Sequence, residues 1–291
     1  MDHVQTFKQW LIEEGKANTT IQSYVSDVQS FQKFLEEKVA EQEPLLSRFA
    51  FVRYKQHLLD TGYAPTTINK KVNSLKVYND FLLGNGVVSE TCIHLKRDRV
   101  AIASGSEHVV TALSDEEVEQ LLFYVENSKK VSIRNKLIVY LLLYTGVRVT
   151  ELVNIQQKDI DLLAYTLTIT GKGGKVRELS LRGDVAELIK TYQRSERASS
   201  SYQNSPYLLL SQRSNQLHRD AVRGWLAKIS KDLGFKLHPH LFRHTFCTKL
   251  LRKGVDITTV SKLAGHNSVN MTAKYYIQTS RADKQAAVEL L

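Results

Sequence analysis

Cysteine is almost missing from this chain of 291 residues: the two present, Cys92 and Cys247, lie far apart and match neither a zinc-ligand spacing nor a disulfide framework. They are expected to be small buried apolar residues in a protein of a reducing compartment. No apolar run approaches the roughly 20 residues of a membrane span, and the stretch from Leu137 to Tyr144 is too short. The opening Met-Asp-His-Val-Gln has no basic stretch followed by an apolar core, so no secretory signal is expected. Internal repeats and long low-complexity segments are lacking too. A hydrophobic content of 42% excludes a disordered or fibrous chain and suffices for one large domain or two ordinary ones.

What is present is positive charge, unevenly placed. The net charge is +10, yet residues 1–107 carry 13 Lys and Arg against 13 Asp and Glu, leaving 27 against 17 in residues 108–291. The whole excess sits in the second part. A polyanionic partner is the natural inference, an inert basic surface the alternative.

Hydrophobic periodicity divides the chain in the same way. Val4, Phe7, Trp10 and Leu11 fit one helical face, and Ile21, Tyr24, Val28, Phe31 and Leu35 a second, with Thr19-Thr20 as potential caps. A third segment runs from about Leu46 to Leu59. The fourth starts at Pro65-Thr-Thr, carries Ile68, Val72, Leu75, Tyr78 and Leu82, and stops at Gly84-Asn-Gly86. Four such helices make a small all-α domain over residues 1–97. Lys70, Lys71 and Lys76 on the fourth helix are candidates for backbone-phosphate contact or simply a solvated face. Residues 98–109 read as an interdomain linker.

A second domain, residues 110–291, opens with Ser114 and Glu117 in a capping-box arrangement. Val131 to Tyr144 predicts an apolar helix stopped by Gly146. Tyr165 to Thr170 and Val176 to Leu181 alternate as strands around Gly171-Lys-Gly-Gly-Lys175, which predicts a β-hairpin with Lys172 at its tip. Residues 184–194 and 217–233 read as helices separated by a polar loop at 195–205. The fold class is therefore mainly α, with a mixed α+β second domain holding a small hairpin or sheet.

The chemistry-bearing residues cluster late. Pro239 starts a helix reaching about Arg252, so His240 and Arg243, three apart, share a face near its positive end and can receive a phosphate. His240 and His244 are four apart, as zinc-helix ligands are, but no glutamate follows His240 and Arg243 would repel a cation. A short helix from Asp256 to Ala264 ends at Gly265, and His266 follows. In the next helix Val269, Thr272, Ala273 and Tyr276 share one stripe. At ~100° per residue, Tyr275 lies ~120° from Val269, free to face a substrate, and is the candidate nucleophile. The lysine turn lacks the Ser or Thr of a nucleotide-binding loop and joins two strands, so it does not predict triphosphate binding. Arg148, with Glu151 three residues on, is either a surface ion pair or a buried fork for phosphate oxygens.

Taken in order, Thr145-Gly-Val-Arg148-Val-Thr-Glu-Leu152, Gly171 to Lys175, His240-Leu-Phe-Arg243-His244, Leu263-Ala-Gly-His266 and Tyr275 resemble the motifs of the tyrosine recombinases of the phage-integrase superfamily, above all the Xer-like enzymes. The resemblance spans essentially the whole chain. It implies an N-terminal SAM-like core-binding domain and a catalytic domain closing as a C-shaped clamp on double-stranded DNA. It further implies that Tyr275 attacks the scissile phosphate, Arg148 and Arg243 stabilise the transition state, Lys172 protonates the leaving oxygen, His240 transfers protons and His266 hydrogen-bonds the phosphate. Lys175 is then a further DNA-contact candidate.

The implied reaction is strand exchange in a tetrameric synapse through a 3′-phosphotyrosine, with no cofactor or obligatory metal, in the bacterial cytoplasm and nucleoid. A paralogous recombinase or accessory proteins are possible partners. Residues 281–291 would form a helix docking on a neighbouring subunit. No arm-binding domain like that of the larger phage integrases is expected, which points to a dimer or cointegrate resolvase, with integration and excision the other roles. The alternatives are a type IB topoisomerase-like relaxing enzyme and a catalytically silent DNA-binding protein.

Overall fold

The computed structural model describes residues 3–38, 46–102, 112–266, 268–276 and 289, and only the main chain of Lys172, Lys274, Tyr275 and Tyr276. The chain forms two units, Met1–His108 and Val109–Leu291.

The first unit contains α1 (His3–Glu13), α2 (Asn18–Lys38), α3 (Arg48–Asp60), α4 (Pro65–Gly84) and the short α5 (Leu95–Asp98). Helical spacing of Phe7, Phe31, Ile68, Leu75 and Tyr78 puts all five in one core. Ser47 caps α3 by accepting from the Ala50 N–H, and Pro65 occupies the first position of α4, where its missing N–H costs nothing. Thr19 and Thr20 do not cap α2. The amides of Thr20 and Ile21 already bond to the Ala17 carbonyl, so the first turn closes before either threonine.

Beyond α4 the chain is held by buried polar groups rather than by apolar periodicity. The Asn79 Oδ1 accepts from the amides of Cys92 (2.8 Å) and Ile93 (3.3 Å). Arg48 grips Asp98 through two bonds of 2.6 and 2.7 Å, and Asn69 takes both the amide and the carbonyl of Val100.

The second unit begins with α6 (Asp115–Asn127), which carries the expected capping box. Next comes α7 (Ile133–Thr145), whose residues Leu137 to Leu143 are all buried. A helix apolar on every side belongs at the centre of a domain, and α7 packs against both α9 (Gly183–Tyr192) and α11 (Pro239–Arg252). In chain order α7 is followed by α8 (Val149–Asn154) and an antiparallel sheet, β1 (Ile160–Asp161), β2 (Thr166–Thr170) and β3 (Val176–Ser180), in that order, with Leu167 opposite Leu179 and Thr170 opposite Val176. The strand β1 adds a third member to the expected hairpin.

Helix α10 (Arg219–Leu233) precedes α11, and α12 (Ile257–Ala264) and α13 (Val269–Tyr276) follow it. The region expected to be loop from residue 195 starts as one more helical turn, Gln193–Arg197. Its Ser/Arg/Gln composition reads as solvent-loving, but Arg197 is buried and donates to the carbonyls of Gln203, Ser205 and Tyr207 at 2.8, 2.6 and 3.0 Å. Both cysteines are buried and unpaired. No described helix is long and apolar enough to cross a membrane.

Candidate active site

The site is built outward from the end of α7. Gly146 terminates that helix in the left-handed region (φ 62°), and a β-carbon there would lie 2.3 Å from the Phe246 ring. The bend sets Arg148 at the N-cap of α8 and aims the Gly146 carbonyl at α11, where it accepts from Arg243 Nη1 at 2.9 Å.

Arg243 is only 4% exposed, and its Nη2 has no hydrogen-bond partner among the described residues. A buried guanidinium donor left unpaired costs on the order of 1–3 kcal/mol or more, so the position calls for an acceptor, and an anionic one. Burial, followed by the charge of Arg148, pushes the Arg243 pKa down to about 10.

Arg148 is fixed at three points. Its amide and its Nη1 donate to Glu151 Oε2 and Oε1, both at 2.8 Å, and its Nη2 donates to the Gly265 carbonyl at 2.9 Å. Glu151 is buried. Burial alone would raise its pKa, but the bonds from Arg177 and Arg148 outweigh that and hold the carboxyl below its usual range. Glu151 is thus an anion that orients, rather than an acid.

The last residues of α12 bring His266 to the same place. Asp256 caps that helix through the amides of Thr258 and Thr259, and Gly265 ends it with φ 66°. The half-buried His266 has its Nδ1 2.7 Å from the Thr272 hydroxyl on α13. Burial first, then the charges of Arg243 and Arg148, push its pKa down to about 4, so the free site holds a neutral imidazole.

His240 and Arg243 do not present equal faces. His240 is exposed on the first turn of α11, whereas Arg243, one turn on, is buried. Desolvation, then His238, Arg243, Arg223 and Arg148, lower the His240 pKa. Both imidazoles therefore sit in the field of the same two guanidiniums. The structure thus brings Arg148, Arg243, His240 and His266 together.

Other expected residues are less fully placed. Lys172 stands on the turn Lys172–Gly174 between β2 and β3, as the strand pattern implied, but its side chain lies outside the described residues. The same holds for Tyr275 on α13, so the phasing that separates Tyr275 from Tyr276 lies outside them as well. The inward face of α13 is set by the fully buried Thr272, and Val269, expected beside it, is 41% exposed. The segment 281–291 lies outside the described residues except for Glu289.

Lys175 is exposed. The three lysines of α4 have internal partners: Lys70 and Lys71 lie 2.9 and 3.4 Å from the buried Asp27, and Lys76 pairs with Asp80. Among the described residues no group of three His, Cys, Asp or Glu side chains is arranged to hold a metal ion.

Sequence reading passed over Arg177. Its Nη1 and Nη2 donate to Glu151 Oε1 and Oε2 at 3.1 and 2.8 Å, and its Nε donates to the Leu263 carbonyl at 3.0 Å. The available signal was register: in β3 residues 177 and 179 face inward, and an arginine on that face needs buried acceptors. His238 was missed too; its Nδ1 accepts from the Leu241 amide and caps α11.

The phage integrase family matches residues 111–282, and the phage integrase N-terminal SAM-like domain matches residues 4–86. The chain is 31% identical over 277 residues to the TnP I resolvase of Bacillus thuringiensis, covering 94% of this chain and 95% of the relative. It is 30% identical over 287 residues to tyrosine recombinase XerC of Staphylococcus epidermidis, covering 94% and 92%. The fold matches the XerH site-specific recombinase bound to palindromic difH substrate in a post-cleavage complex, with a TM-score of 0.77 at 22% identity over 94% of this chain and 80% of that one. The chain belongs to the phage integrase family and is a tyrosine recombinase.

Proposed function

We propose that this enzyme cleaves and rejoins duplex DNA at a specific site, with Tyr275 as nucleophile and Arg148, Lys172, His240, Arg243 and His266 as its catalytic partners. The observation that carries the reading is the buried Nη2 of Arg243, without a hydrogen-bond partner among the described residues, beside Arg148 and a neutral His266, a cluster of donors matched to one phosphodiester.

In this reading the Tyr275 oxygen attacks phosphorus while His240, unprotonated because its pKa is lowered, takes the phenolic proton. The P–O5′ bond breaks, and Lys172 on the hairpin turn protonates the departing 5′-oxygen. A 3′-phosphotyrosine remains, so the bond energy is retained for the reverse attack by a 5′-hydroxyl from the second duplex. Arg148 and Arg243 stabilise the second negative charge of the pentacoordinate state, and His266 donates a hydrogen bond to a phosphate oxygen.

The resolvase relative favours resolution of joined replicons over integration as the biological role. A tetrameric synapse, docking of residues 281–291 on a neighbouring subunit, a second recombinase or accessory proteins, and action on nucleoid DNA in the cytoplasm belong to the same proposal. The test is covalent capture. DNA linked to the protein is recovered from cells under denaturing conditions, the site is sequenced, and a nicked duplex carrying it is incubated with the purified enzyme. Wild type accumulates an adduct that Tyr275→Phe does not form. Equal behaviour of the two proteins overturns the assignment.

A further inference from the structure

We infer that Arg177 is a positioning residue of the cleavage site: it holds Glu151 so that the shared carboxylate aims Arg148 without cancelling its charge, and it fastens the turn before His266 to strand β3. The inference rests on the reading of Arg148 and His266 as phosphate ligands.

Four donors converge on one carboxylate. Glu151 Oε1 accepts from Arg177 Nη1 (3.1 Å) and Arg148 Nη1 (2.8 Å), and Oε2 from Arg177 Nη2 (2.8 Å) and the Arg148 amide (2.8 Å). With side-chain exposures of 5% for Glu151 and 13% for Arg177, water does not substitute for these bonds. The third Arg177 bond, from Nε to the Leu263 carbonyl, reaches the last turn of α12. The guanidinium lies against Gly265, where a β-carbon would come within 2.8 Å of Nη1. Arg148 bonds to the carbonyl of that same glycine. Strand β3, helix α8 and the His266 turn are thus joined through one side chain.

Charge gives this link a consequence beyond fit. The diester bears one negative charge, and attack by a tyrosine oxygen raises the pentacoordinate state to two. Arg148, Arg177 and Arg243 with Glu151 sum to two positive charges. Without Arg177 the sum is one, and Glu151 becomes a full counter-ion to Arg148, competing with the phosphate for its Nη1. The loss should fall on the cleavage step more than on duplex binding, because an interaction with charge that develops at phosphorus grows in the transition state.

The experiment uses the full chain and the nicked duplex above, with Arg177→Met, Arg177→Lys and the exposed control Arg182→Met. Single-turnover cleavage at saturating protein should fall about a hundredfold in Arg177→Met. Its duplex affinity should change by less than about threefold, the control should match wild type, and Arg177→Lys should fall between. Loss of the Arg177 charge should also raise the His266 pKa in Arg177→Met and leave it depressed in Arg177→Lys, read by imidazole NMR titration, whereas loosening that hydrates the imidazole would raise it in both. If Arg177→Met does not fold, Arg177→Lys carries the same rate, affinity and titration measurements. A duplex with sulfur in place of the scissile 5′-oxygen, a leaving group that needs no proton, should leave the defect in place. Restoration by that substrate would place the action of Arg177 on the hairpin lysine and overturn the route through Glu151. So would full additivity with Glu151→Gln. Wild-type cleavage with unimpaired Arg177→Met sinks this inference alone, whereas absence of any wild-type adduct sinks the reading beneath it.

Discussion

Gly146 has no side chain, yet replacing it with alanine should damage both stability and chemistry. Two costs act in the folded state. An L-residue held in the left-handed region loses about 1–2 kcal/mol, and the new β-carbon would meet three atoms of the Phe246 ring at 2.3 to 2.9 Å. The half-buried Phe246 ring packs against the cluster of Cys247, Leu251, Val260 and Ala264, which restricts its retreat, so overpacking adds about 1–3 kcal/mol. Together they predict a loss of about 2–5 kcal/mol.

Gly234 supplies the internal control. It has φ 81° and nothing within 4 Å of an added β-carbon, so Gly234→Ala pays only the backbone term. Urea unfolding of the two variants should differ by about 1–3 kcal/mol, and Phe246→Ala should rescue Gly146→Ala but not Gly234→Ala. Because the Gly146 carbonyl anchors Arg243, the cleavage rate of Gly146→Ala should also fall under conditions where the protein is folded. Equal destabilisation by the two alanines, or no coupling to Phe246, would refute the steric argument. A normal cleavage rate would refute the anchoring argument.

Two further outcomes follow from the same geometry. With its pKa held near 4 in the free protein, His266 should regain basicity when a phosphate offsets Arg243 and Arg148, so DNA binding should take up a proton between about pH 4 and 6.5 and tighten as pH falls through that window. Calorimetry in buffers of different ionisation heat should detect this uptake in wild type and not in His266→Gln; no difference would sink it. In the absence of DNA the same depression should cost stability as pH falls from 6.5 toward 4, because the unfolded imidazole binds the proton first. Asp27→Asn should release Lys70 and Lys71 at a stability cost of roughly 1–3 kcal/mol and steepen the salt dependence of DNA binding by up to about 0.9 per freed lysine. An unchanged salt slope would show that these lysines do not reach DNA.

Much of this architecture was legible because it rests on local rules. Pro65, Pro239, Gly146 and the Ser114–Glu117 pair mark helix ends through their own backbone chemistry, and alternation around Gly171 to Lys175 specified the strands. The individual catalytic candidates were legible as residue types at motif spacings. Their fastening was not, because it runs through partners distant in sequence. Nothing near Arg243 signals that it rests on the Gly146 carbonyl, and Arg177 is an unremarkable strand arginine until β3 packs beside α8 and α12. The lysines of α4 were legible only as charge: sequence offered solvent or phosphate as their surroundings and gave no sign of the buried aspartate from α2 that lies beside two of them.

The arginine anchors have a consequence for engineering. Arg243 rests on the main chain of the segment that carries Arg148, and Arg148 rests on the main chain of the segment that carries His266. A random-mutagenesis selection for recombination should therefore score Gly146 and Gly265 as if they were catalytic, although neither can touch a substrate with a side chain. Grafting the six candidate residues onto another scaffold would transfer their side chains without the two carbonyls that aim Arg148 and Arg243. The transferable unit is the set of three helix ends.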